Sequence, residues 1–124
     1  MPEFDAAIVQ PRPVGDGVDV INAVKEDVEN PNYPMFAFSP ERVLRVLISF
    51  ATDLREILAE QEGERHLNLR HAVALDLEAR AQVGTVKYGT RLKTNNGRNA
   101  VLDAYQELLD LLNYTKQGIL EGKL

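Results

Sequence analysis

No cysteine occurs among the 124 residues. That excludes disulfides, thiolate-held zinc and a cysteine nucleophile together. Positive charge is scarce as well: 14 lysines and arginines stand against 19 aspartates and glutamates, a formal net charge of −5. Such a balance disfavours unspecific binding to a nucleic acid backbone, so no nucleic-acid polymer is expected as a partner. No apolar run reaches the ~18 residues that a membrane span needs, so no membrane is expected either. The start, MPEFDAAIVQPRPVGDG, lacks the basic residues and apolar stretch of a secretory signal. A soluble protein of a reducing, cytoplasmic compartment is the expectation. No internal repeat or low-complexity tract appears, and the length suits one domain with a modest core.

What is present is helical periodicity. Residues 1–16 read as an arm, because Pro11, Pro13 and Gly15 break any regular pattern. Ala6 to Val9 within it suit a short strand or a packing contact. A single domain is expected over 17–124. It begins with a short helix from about Val18 to Val28, capped by Asp16 or Asp19 and stopped by Asn30, Pro31 and Pro34. The next helix has a well-marked start, with Ser39 as its N-cap and Pro40 at its first position. It runs to about Glu62, presents Val43, Val46, Leu47, Phe50, Leu54, Ile57 and Leu58 for burial, and ends on Gly63. Asp53 and Glu56 flank that face, as a solvated edge or as part of an acidic site. A third helix runs from Leu69, capped by Asn68, to about Val83, with Gly84 ending it. His66 and His71 are five residues apart and fall on different faces, which argues against a shared metal site.

The last stretch, Asn99 to Leu120, has the strongest period. At about 100° per residue, Val101, Tyr105, Leu108, Leu112 and Ile119 fall on one line. Opposite them Asp103, Glu107 and Asp110 stack above one another at spacings of four and three. Either water or a cation solvates that stripe. In the third helix Asp76 falls at the centre of a broad apolar face. A carboxylate there needs a partner. It either pairs with Arg80, one turn on, or faces a polar cavity. Between these helices, Gly84 to Arg98 reads GTVKYGTRLKTNNGR and carries Lys87, Arg91, Lys93 and Arg98. A basic, glycine-containing loop before a helix suits an anion, or is simply solvated and balances nearby acids. It is not a P-loop, since Gly-x-x-x-x-Gly-Lys-Ser/Thr is absent.

Carboxylates one turn apart, joined by acids from a facing helix, make an all-oxygen site suited to Mg²⁺ or Mn²⁺. Such an ion polarises a phosphoryl group while lysines and arginines hold the remaining phosphate charge. The segment Glu107-Leu-Leu-Asp110-Leu-Leu-Asn113-Tyr114 resembles the Glu-x-x-Asp helix of the all-α nucleoside triphosphate pyrophosphohydrolases, the MazG-like proteins. Lys87-Tyr88-Gly89-Thr, Asn96-Gly97-Arg98 and Asp103-Ala-Tyr-Gln-Glu107 are similar to small phage proteins grouped with them. The resemblance covers about Leu69 to Leu120. It implies metal-dependent cleavage of a (d)NTP, a purine such as dGTP by analogy, to the monophosphate and pyrophosphate. It also implies a homodimer or homotetramer. Glu107, Asp110 and Asp76 would be ligands, with Glu78, Asp53 and Glu56 as further candidates. Asp103 would be a ligand or base, and Lys87, Tyr88, Arg91 and Arg98 would meet substrate. The family's Glu-x-x-Glu on the preceding helix has no counterpart at that spacing in Asp76 and Glu78; Asp53-x-x-Glu56 has the spacing but lies farther upstream. The expected fold is an all-α bundle of three long helices and a shorter N-terminal one, completed by oligomerisation. The rival reading is a non-enzymatic helical interaction module with a solvated acidic face.

Overall fold

The computed structural model describes residues 10–65 and 68–124. The expectations for Ala6 to Val9 and for His66 lie outside the described residues. Among them the regular structure is four helices and no strand: α1 Val20–Glu29, α2 Pro40–Gln61, α3 Leu69–Tyr88 and α4 Ala100–Leu120. No described helix is long and apolar enough to cross a membrane.

Each helix starts on a short polar side chain that takes up a backbone N–H otherwise without a partner. Asp19 accepts from the N–H of Asn22, Ser39 from Arg42 and Asn68 from His71. Asn99 accepts from both Val101 and Leu102. Glycines in the left-handed region close two of the helices: Gly63 follows α2 with φ +70°, and Gly89 caps α3 with φ +78°. The expected stop at Gly84 is incorrect, since α3 runs through it for another turn. A glycine ends a helix when the chain adopts positive φ, and here Gly89, not Gly84, does so. The hydroxyl of Thr85 donates to the carbonyl of Ala81, one turn back in the same helix. Lys87 and Tyr88 therefore belong to the last turn of α3 and not to the loop.

The chain forms two compact units. One contains Ala37–Thr94, in which α2 packs on α3. Among the described residues, Ala59 of α2 and Ala72 of α3 are the buried apolar side chains, at 2% and 8% exposure. Beside them Arg55 of α2 meets Asp76 of α3, Nε to Oδ2 at 2.7 Å. The other unit combines Arg12–Phe36 with Asn95–Leu124, and in it α1 packs on α4. Lys116 of α4 reaches Asp27 of α1 at 2.7 Å. Hydrogen bonding to Lys116 holds the Asp27 carboxyl below its ordinary value, with a smaller contribution from Tyr33.

The helical faces expected to be buried are less covered than their periodicity implies. Val43, Val46 and Leu47 on α2 are exposed, as are Val101, Leu102, Tyr105, Leu108, Leu109 and Leu112 on α4. Periodicity identifies which face is apolar; it does not supply the surface that covers it. A helix pair has one mutual contact, and the rest of each wide apolar face needs a further element.

Candidate functional site

The acids and bases singled out in the sequence fall into three groups. The first group is committed to ion pairs. Asp76 does not pair with Arg80: its partner is Arg55, from a different helix, and the Arg55 side chain is only 4% exposed against 18% for Asp76. Arg55 is not among the residues that the sequence pattern singles out. The available signal was a guanidinium on the side of α2 that also carries Ala51, Thr52 and Ala59, small residues that admit a neighbouring helix. Glu78 is held by Arg91 through two parallel hydrogen bonds, Nη1 to Oε1 at 2.7 Å and Nη2 to Oε2 at 3.0 Å. That hydrogen bonding lowers the pKa of Glu78 and raises that of Arg91. Asp103 is held likewise by Arg98, Nε to Oδ2 at 2.9 Å and Nη2 to Oδ1 at 2.8 Å.

The basic loop is correspondingly divided. Arg91 folds back along α3 to Glu78, while Arg98 turns forward onto the first turn of α4. Lys87 lies 5.1 Å from the centroid of the Tyr88 ring, a cation–π distance. Two of the four cations, Arg91 and Arg98, are thus neutralised by carboxylates. The turn before α4 is tightly specified. Asn95 and Gly97 both have positive φ, +57° and +81°. Asparagine and glycine are the residues that tolerate that region. The side chain of Asn96 accepts from the N–H of Arg98 at 3.0 Å.

The second group is Glu107 and Asp110. They occupy one face of α4, a single turn apart, and both are exposed. Among the described residues neither has an ion pair or side-chain hydrogen bond. Asp53 and Glu56 form the third group, and both are exposed on α2.

A hard divalent ion needs several oxygen donors. Among the described residues no three histidine, aspartate or glutamate side chains come together to hold one. Glu107 and Asp110 supply two oxygen-bearing side chains at a workable helical spacing, with no nitrogen or sulfur ligand that would favour a softer ion. No family model matches the chain, nor does any curated protein or solved structure.

Proposed function

We propose that the chain is a Mg²⁺- or Mn²⁺-dependent nucleotide pyrophosphohydrolase that cleaves a (d)NTP to the monophosphate and pyrophosphate. The observation that carries this reading is the contrast along one face of α4. Asp103 is neutralised by Arg98, whereas Glu107 and Asp110, on the next two turns, are exposed and without an ion pair among the described residues. Two adjacent uncompensated carboxylates repel one another, and a divalent cation relieves that repulsion.

Glu107 and Asp110 would hold the ion, which when bound supplies positive charge against the phosphates and acidifies a water. Arg98 lies at the end of the same stripe and meets phosphate charge there. Tyr88 is a substrate-binding candidate on the sequence resemblance alone. Hydrolysis adds water across the α–β phosphoanhydride: the phosphorus–oxygen bond breaks, and pyrophosphate leaves with the bridging oxygen. A purine such as dGTP is the substrate the sequence resemblance suggests. The remaining ligands and the cover for the exposed apolar faces come, in this reading, from a bundle completed in a homodimer or homotetramer.

A second reading is favoured by those same apolar faces. An acidic, α-helical chain that exposes Val43, Val46, Leu108 and Leu112 also fits a non-enzymatic interaction module, in which Glu107 and Asp110 are solvated surface. Pyrophosphate release from a panel of NTPs and dNTPs, with Mn²⁺ or Mg²⁺ and an EDTA control, separates the two. Metal-dependent release of monophosphate and pyrophosphate supports the enzyme. No turnover by folded protein supplied with metal would leave the interaction module.

A further inference from the structure

α2 has two faces with different occupants. On one side the buried Arg55 meets Asp76 of α3. On the side away from Arg55, Val43, Val46, Leu47, Phe50, Leu54 and Ile57 recur at helical spacing and make a continuous apolar face. The first three are exposed and the last three half-buried. Among the described residues the buried apolar side chains are Ala59 and Ala72, so small a core that the helix pair needs further apolar cover.

A polar edge borders that face, and its charges are ordered. Arg42 and Arg45 lie toward the N-terminus of α2, and Asp53, Glu56 and Glu60 toward its C-terminus. At about 100° per residue these five and Ser49 fall within roughly a quarter of the helix circumference. All five charged residues are exposed, and none has an ion pair among the described residues. The midpoint of the edge is Ala51: Arg42 and Glu60 stand nine residues to either side of it, and Arg45 and Glu56 six and five.

We propose that α2 pairs antiparallel with α2 of a second copy of this chain, across a two-fold axis near Ala51. Such an axis brings the same edge of both helices together with one of them reversed. Arg42 of each copy then meets Glu60 of the other. Arg45 reaches toward Glu56, and Asp53 falls beside the Ser49 hydroxyl. On the apolar face Val46 meets Ile57, Leu47 meets Leu54, and Phe50 lies near the axis. A parallel pairing would set Arg42 against Arg42 and Glu60 against Glu60, which repel. The apolar face supplies the affinity, while the exposed ion pairs add little to it and set direction and register. Opposite charges balanced about a midpoint are what a self-complementary surface requires; an unrelated partner requires no such balance. This inference rests on the oligomeric part of the reading above and not on nucleotide hydrolysis, and none of its readouts is turnover.

The test uses the 124-residue chain in sedimentation equilibrium at low ionic strength. Arg42→Glu/Arg45→Glu makes the edge wholly acidic, and Glu56→Lys/Glu60→Lys gives each of its ends basic charge. Each variant alone should associate at least about tenfold more weakly than wild type and sediment at lower mass. Mixed in equal amounts they should restore the wild-type mass, because every end then faces its opposite. The chain has no cysteine, so introduced thiols report proximity without background. Under oxidation by copper–phenanthroline, Phe50→Cys should form a disulfide with its counterpart. Arg42→Cys alone should not, since its counterpart lies about 27 Å along the pair. Arg42→Cys mixed with Glu60→Cys should cross-link. Helix content is checked by circular dichroism, and the cysteine variants decide if a charge variant loses helix. Self-cross-linking of Arg42→Cys would mean a parallel pairing and overturn the inference. Wild-type mass in either charge variant alone would overturn it as well. A wild-type chain that sediments as a monomer at high concentration would also overturn it and assign the face to a partner of another kind.

Discussion

Arg55 of α2 stands 2.7 Å from Asp76 of α3, with the arginine side chain 4% exposed. A guanidinium so far from solvent depends on its carboxylate. Removing one member of a buried ion pair is destabilising, by on the order of 3 kcal/mol. Asp76→Ala should therefore lower stability by about that amount in urea denaturation. The paired replacement Arg55→Met/Asp76→Leu should recover most of the loss, since two apolar side chains of similar size fit a helix contact without buried charge. A stable Asp76→Ala protein that has lost Mn²⁺ affinity would instead return Asp76 to the metal site.

Glu107→Gln and Asp110→Asn preserve side-chain size and remove one negative charge each. Both positions are exposed on α4, so helix content and stability should stay within about 0.5 kcal/mol of wild type. Turnover and Mn²⁺ affinity should fall together by two orders of magnitude or more, roughly the loss of a charged ligand. Unaltered turnover in a folded Glu107→Gln protein would remove that residue from the mechanism.

Gly84 and Gly89 make opposite predictions from the same residue type. Gly84 is inside α3, and a Cβ there would meet nothing within 4 Å. Gly84→Ala should raise stability by up to about 1 kcal/mol through helix propensity. Gly89 has φ +78°, a conformation in which an alanine is strained. Gly89→Ala should lower stability by about 1 kcal/mol. Equal effects at the two positions would contradict the end of α3 described above.

The Asp103–Arg98 pair sets a pH window. Its hydrogen bond is the chief cause of the depressed carboxyl pKa, with desolvation opposing it and charge attraction adding to it. A group whose pKa is lower in the folded state contributes its stabilisation above the unfolded pKa, about 3.9, and loses it as pH falls through the folded value. The pair should thus be intact at neutral pH and open as pH falls through that lowered value. Carbon-13 titration of the Asp103 carboxyl should give a midpoint below 3.8, its ordinary value, and Arg98→Ala should return it there. An unchanged midpoint in the variant would show that the pair does not persist in solution.

Leu108 and Leu112 lie one turn apart on α4 and are both exposed. If the apolar face they share with Val101 and Tyr105 closes against a second copy, Leu108→Lys/Leu112→Lys should shift sedimentation from dimer or tetramer to monomer. A stable interface buries about 800 Å² per partner, so two central charges suffice to disrupt it. A wild-type protein that already sediments as a monomer at high concentration would leave those faces without this role.

Much of the helical outline is legible in the sequence because it is determined locally. Ser39 and Asn68 cap as expected, Asp19 proves to be the first cap, and Gly63 closes α2, since a cap involves residues only a few positions apart. Two glycines five residues apart offer the same signal for the end of α3, and only φ separates them. The partner of Asp76 is hidden from the sequence for a different reason. Arg80 is visible one turn along, whereas Arg55 is 21 positions back and becomes a neighbour through the packing of α2 on α3. For Glu107 and Asp110, sequence spacing identifies the shared face; exposure and the absence of an ion pair among the described residues come from the fold.

The turn that aims Arg98 also has a chemical lifetime. Asn96 precedes Gly97, which has no Cβ to hinder attack by its own backbone nitrogen on the Asn96 side-chain carbonyl carbon. That attack expels ammonia and closes a succinimide, and water then opens the ring to aspartate or isoaspartate. Isoaspartate routes the main chain through an extra methylene, and either product places new negative charge where Asn96 now accepts from Arg98. Ageing of the protein at neutral pH would therefore alter the turn that leads into α4.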